Sequence, residues 1–122
     1  MADLIVVRWY ATVLRKDVFA EDVAEVAALV LRYGATEYRV HVDNDDRYKI
    51  SQMSWFAKKT DWYRYWDGPE MIEFRARNMG RYQIPIAYAW QDEIALGALG
   101  PPVPADETQE PEPQQPAPQA AA

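Results

Sequence analysis

The chain has no cysteine among its 122 residues. Disulfides, thiol nucleophiles and cysteine-ligated metals are therefore excluded. Histidine occurs once, at His41, so a multi-histidine metal site cannot form within one chain. With five glycines, the sequence contains no Walker loop, dinucleotide fingerprint, nucleophile elbow or metalloprotease motif. No apolar run approaches the ~20 residues that span a bilayer, and the first residues lack the basic-then-apolar layout of a signal peptide. These features predict a soluble protein of the cytoplasm, or of a soluble macromolecular assembly, with no membrane partner. The formal charge is −6, from 19 acidic and 13 basic residues. Asp106, Glu107, Glu110 and Glu112 account for four of the acids, and 19 − 4 = 15 against 13 leaves about −2 for the remainder. That balance argues against direct nucleic-acid binding.

What is present divides at Gly100. Residues 1–100 read as one α+β domain. Pro101 to Ala122 holds seven of the nine prolines and no aromatic, which predicts a disordered acidic Pro/Gln/Ala-rich tail dispensable for folding. Within the domain, Leu4 to Leu14 alternates with a period of two and is rich in β-branched residues, a strand signal. Asp17 is a candidate cap for a helix from Val18. Phe19, Val23, Val26, Ala27, Val30 and Tyr33 then recur at helical spacing, and Gly34 is placed to stop it. Thr36 to Val42 and Tyr48 to Ala57 flank Asp43-Asn44-Asp45-Asp46 and read as a hairpin. Thr60 or Asp61 can cap a short helix, Trp62 to Trp66. Asp67-Gly68-Pro69 breaks it, and Pro69 opens a further helix through Asn78. Tyr82 to Trp90 is the last strand, with Pro85 predicting an edge position or a bulge. Asp92 to Leu99 is either a short helical turn or an extended arm.

Strand, helix, strand, strand, helices, strand is the ferredoxin-like β-α-β-β-α-β order: an antiparallel sheet with helices on one face. A domain of this size has little left to cover the other face. Sheet-to-sheet packing of two copies, a dimeric α+β barrel, is the natural solution. The layout is similar to the dimeric α+β barrel superfamily, especially antibiotic-biosynthesis-monooxygenase-like domains. The resemblance is carried by Trp55-Phe56-Ala57-Lys58-Lys59-Thr60-Asp61-Trp62, by Trp66 through Arg75 with its proline break, and by the final strand Tyr82-Gln83-Ile84-Pro85-Ile86-Ala87. It implies relatives that include cofactor-free quinone-forming oxygenases and haem-degrading enzymes. The haem-degrading members use an Asn on the first strand and a His on the later helix. Trp9, Tyr10 and Met71 stand in those regions here, so haem chemistry is not carried over.

The candidate residues follow. His41 and Tyr10 are the catalytic candidates if the chain is an enzyme, His41 because an imidazole titrates near neutral pH. Trp9, Trp55 and Trp90 are candidates for core or interface. Trp62, Tyr63, Tyr65 and Trp66 put four rings in five positions, more than one helix face can bury, which predicts an outer docking surface for part of the helix. Asp43, Asp45 and Asp46 lack the turn glycine and distal glutamate of a calcium loop and read as a turn. Lys58, Lys59, Arg75, Arg77 and Arg81 form the one basic region, read as a solvated face or as ion pairs with the many acids. No metal or cofactor is called for.

Two functions remain. The first is a non-enzymatic structural or assembly protein working through homo-oligomeric and partner-protein contacts. A phage or bacterial assembly component fits it, because the tail composition is similar to tethers in high-GC bacterial or phage proteins. The alternative is a cofactor-free monooxygenase on a small aromatic substrate, its pocket lying between sheet and helices and reached by His41 or a tyrosine.

Overall fold

A computed structural model describes residues 2–100. The expected tail, 101–122, lies outside the described residues. Residues 2–92 form one compact unit. In chain order it contains β1 (Asp3–Tyr10), α1 (Lys16–Ala28), a 3-10 turn (Leu29–Tyr33), β2 (Ala35–Val42), β3 (Lys49–Phe56), α2 (Lys59–Trp66), α3 (Pro69–Arg77) and β4 (Ala87–Gln91). Residues 93–100 carry no regular secondary structure, and Ile94, Leu96 and Leu99 are exposed.

The sheet order is β2-β3-β1-β4, every pair antiparallel, which is the ferredoxin-like arrangement. Cross-strand register sorts the side chains into two faces. Ile5, Val7 and Trp9 of β1 align with Ser54, Gln52 and Ile50 of β3, and these with Tyr38, Val40 and Val42 of β2. Trp90 and Tyr88 of β4 pair with Ile5 and Val7. This face lies under the helices. Its core is Ile5, Val7, Trp9, Phe19, Val23, Val26, Val30, Ile50, Phe56, Trp62, Tyr65, Met71 and Phe74.

Local chemistry sets most boundaries. Gly34 adopts φ 108°, a left-handed turn that favours glycine, and a Cβ there would lie 2.7 Å from Asp61 Oδ2, which would have to shift. Pro69 occupies the first turn of α3 behind Gly68, as its fixed φ and missing N–H favour. The Asp43 carboxylate accepts the N–H groups of Asp45 (2.9 Å) and Asp46 (3.4 Å), the local turn anticipated for this run.

Four boundaries differ from expectation. The first helix starts at Lys16, so Asp17 lies in its first turn and does not cap it. The first strand stops at Tyr10, because the chain turns at Ala11–Arg15 with Leu14 at φ 68°. The last strand begins at Ala87. Before it, Tyr82 makes only an isolated bridge to Ala11 and the Gln83 N–H bonds the Tyr10 carbonyl (2.8 Å), so this run touches the end of β1 without forming a continuous strand. Asp61 is not a helix cap. It lies in the first turn of α2 and pairs with Arg64 at 3.0 Å. Among the described residues, no helix is long and apolar enough to cross a membrane.

Candidate functional site

Trp9 is the hub of the helix–sheet layer. Its ring meets Phe19 (5.6 Å), Trp66 (5.8 Å), Phe74 (5.5 Å) and Tyr82 (5.3 Å). A buried hydrogen-bond chain holds it. Trp9 Nε1 donates to Gln52 Oε1 (3.0 Å), Gln52 Nε2 donates to the Tyr65 hydroxyl (3.0 Å), and Tyr65 donates to the Val26 carbonyl (2.7 Å). Burial pushes the Tyr65 hydroxyl well above the ordinary phenol range, so it stays protonated.

Beyond Trp9 the layer continues toward β4 as a run of rings. Trp62 stacks on Trp66 at 5.1 Å and 14° and meets Tyr88 (4.8 Å) and Trp90 (6.1 Å); Tyr88 also meets Trp66 (5.5 Å). Two cations sit on these rings: Arg75 Cζ 4.8 Å from the Trp66 centroid, and Lys59 Nζ 5.3 Å from that of Trp90. Trp62 Nε1, Trp90 Nε1 and Arg75 Nη1 are all buried and find no hydrogen-bond partner among the described residues. A buried donor without an acceptor costs roughly 1–3 kcal/mol. Three such donors in one aromatic cluster mark a place that suits an acceptor-bearing planar molecule.

The interface expectation for the aromatic helix is corrected in part. Trp9, Trp62, Tyr65 and Trp66 lie at 2%, 0%, 1% and 8% exposure, inside the chain's own core. The sheet underneath and α1 beside it accept rings from two sides of α2, so of its four aromatic rings only Tyr63 is exposed. Trp90 is half-buried on the helix side, and Trp55 half-buried on the opposite sheet face with Arg39 over its ring at 5.5 Å.

The pocket expected between sheet and helices is not reached by His41. Tyr38, Val40 and Val42 take the helix side of β2, so His41, at the intervening parity, is exposed on the open face beside Ser51. Tyr10 shares that face. It lines an open hollow of about 380 Å³ with Arg8, Asp43, Lys49 and Ser51. Its hydroxyl donates to Asp46 Oδ2 (3.1 Å), whose carboxylate raises the phenol above its ordinary range.

The expected basic region splits. Arg77 and Arg81 reach Asp22 at 3.6 and 3.5 Å, the ion pairs anticipated, whereas Arg75 and Lys59 turn to the indoles. Sequence reasoning missed Gln52, Tyr88 and the distinct roles of Arg75 and Lys59. Only the placement of Gln52 among apolar strand positions offered a signal. Among the described residues, no group of three or more His, Asp or Glu could hold a metal.

The architecture is an α+β sandwich of ferredoxin-like topology with an aromatic, donor-rich layer at one edge. Solved structures with this fold include a putative antibiotic biosynthesis monooxygenase from Nitrosomonas europaea. It has a TM-score of 0.68 at 11% identity, over 76% of this chain and 90% of that one. A second is the cofactor-independent oxygenase SnoaB from Streptomyces nogalater, with a TM-score of 0.65 at 11% identity, over 78% and 95%. A protein of unknown function from Nitrosomonas europaea scores 0.66 at 16% identity, over 83% and 98%. The fold is thus shared with solved structures that carry the names antibiotic biosynthesis monooxygenase and cofactor-independent oxygenase. No family model matches the sequence, and comparison with curated proteins finds no match.

Proposed function

We propose that the protein is a cofactor-independent monooxygenase acting on a small, electron-rich hydroxyarene bound in the aromatic layer between α2, α3 and β4. The observation that carries this reading is the set of three unpartnered buried donors among stacked indoles. It is supported by the fold shared with the oxygenase SnoaB. This alternative is favoured over a non-enzymatic assembly role.

The residues act on charge. Trp62 and Trp66 supply flat apolar walls for the substrate ring. The nearby guanidinium of Arg75 lowers the substrate phenol's pKa and stabilises the anion. The electron-rich ring then reduces dioxygen itself. One oxygen atom enters at the carbon para to the hydroxyl and becomes a quinone carbonyl. The other leaves as water, taking the hydroxyl proton and the displaced ring hydrogen. The ring supplies all the electrons, so no external reductant is consumed. His41 and Tyr10 have no role in these steps.

Oxygen-electrode measurements with one- to three-ring hydroxyarenes test the proposal. One dioxygen consumed per quinone formed is expected, with Arg75→Met slowing turnover at least tenfold. A folded protein with no uptake above buffer across the panel would return the assembly reading to first place.

One observation keeps self-association in view under either reading. Leu4, Val6, Met53, Trp55 and Ala89 are register neighbours on the face away from the helices. We propose that this face packs on the same face of a second copy.

A further inference from the structure

We infer that the molecule held in the aromatic layer carries an oxyanion at each end: a hydroxyarene with its phenol oxygen at Arg75 and a carboxylate at Lys59. The inference deepens the oxygenase reading by naming the class of substrate and rests on it for the word substrate; the binding it describes is measurable without turnover.

Lys59, Trp62 and Trp66 of α2 stand at i, i+3 and i+7, one stripe of the helix. With a rise of about 1.5 Å per residue, the ends of that stripe are roughly 10 Å apart. Each end carries a cation on an indole. Lys59 stands over Trp90 at one end, and Arg75, from α3, stands over Trp66 at the other. Trp62 lies between, 5.1 Å from Trp66 and 6.1 Å from Trp90.

Neither cation has an ion-pair partner among the described residues, whereas acids of the same helices are engaged elsewhere. Asp61 pairs with Arg64, Glu73 with Arg77, and Glu70 with Arg32 and the Tyr33 hydroxyl. The unpartnered groups at the site are donors only: two indole N–H groups and one guanidinium N–H. Donors and cations of this kind call for acceptors and negative charge on the ligand. A single phenol oxygen cannot serve both stations, because they lie at opposite ends of the stripe.

Exposure assigns the ends. Arg75 Nη1 is buried, suiting the reacting phenolate, which gains from exclusion of water. Lys59 is exposed, suiting a carboxylate that stays partly hydrated. The ring has a ready seat. Tyr88, on the outermost strand and 41% exposed, lies against both Trp62 and Trp66, where a planar ligand would stack. Binding displaces its ring.

Calorimetric titration of the full chain with 5-hydroxy-2-naphthoate, its methyl ester and 1-naphthol, each with a hydrogen on the carbon para to the hydroxyl, tests this. The acid should bind at least tenfold tighter than the ester or the naphthol. Lys59→Met should cut that preference below threefold while leaving ester binding unchanged. Arg75→Met should weaken all three, with Arg75→Lys restoring part of the loss if the variant is folded. Tyr88→Ala should bind the acid at least as tightly as wild type. Equal affinities for acid and ester, or a preference that survives Lys59→Met, overturns the inference, as does weakened binding in Tyr88→Ala. Oxygen uptake with the same compounds separates the two readings. Uptake without acid preference refutes the carboxylate station alone, and acid-selective binding without uptake refutes the oxygenase alone.

Discussion

Replacing Tyr65 with phenylalanine removes one oxygen atom from the centre of the molecule and leaves the ring volume in place. The hydroxyl accepts from Gln52 Nε2 at 3.0 Å and donates to the Val26 carbonyl at 2.7 Å, in a side chain 1% exposed. Tyr65→Phe therefore leaves two buried polar groups without that partner, while making no cavity. The Val26 carbonyl keeps the backbone N–H at the Leu29 cap of α1, so the loss falls mainly on Gln52 Nε2, at about 1–2 kcal/mol for one orphaned buried donor. For a domain of this size that corresponds to a fall in Tm of roughly 4–16 °C. Urea unfolding followed by circular dichroism should show a lower midpoint with an unchanged slope, since the surface exposed on unfolding is the same. Tyr63→Phe is the control: its ring is 41% exposed and no described side-chain hydrogen bond involves its hydroxyl, so the change should stay within about 0.5 kcal/mol. If Tyr65→Phe and Tyr63→Phe unfold together, the buried chain through Gln52 does not hold α2 to the sheet, and the reasoning fails.

Two further outcomes are expected. Met53→Glu places a carboxylate on the open face opposite Val6 and beside Arg39, and should shift the protein from dimer to folded monomer in sedimentation velocity; a wild-type monomer at high concentration would refute the sheet-to-sheet contact. The hydrogen bond from Tyr33 holds Glu70 below the usual carboxylate range, with a backbone hydrogen bond adding to it, so this group contributes stability above its unfolded pKa that is lost as pH falls through the lower folded value. Melting curves from pH 7 to 3 should accordingly show a shallower acid-side fall for Tyr33→Phe, and identical pH profiles for variant and wild type would show that the pair is not linked to folding.

The sequence alone determined the order of elements, because alternation in Ile5-Val7-Trp9 and helical spacing in Phe19-Val23-Val26 are local periodicities that the backbone obeys. It also determined the stop at Gly34 and the break at Gly68-Pro69, where one residue type meets one backbone demand. The stacking of Trp62 on Trp66 follows from i, i+4 spacing alone. Which side of α2 meets protein was another matter. Tyr65 is buried and Tyr63 exposed because β3 brings Gln52, and α1 the Val26 carbonyl, to one point, a meeting of residues far apart in the chain. The same holds for the basic residues. Arg75 and Arg77 are two positions apart on one helix and point to different neighbours, one to Trp66 and the other to Asp22. His41 could be assigned a strand from its pattern, but only the register of β2 against β3 placed it on the face away from the helices. The candidate site was therefore barely legible in the sequence: its parts come from α2, α3 and β4. Local propensity acts over a few residues, whereas the meeting of three elements depends on how the whole chain buries its apolar surface.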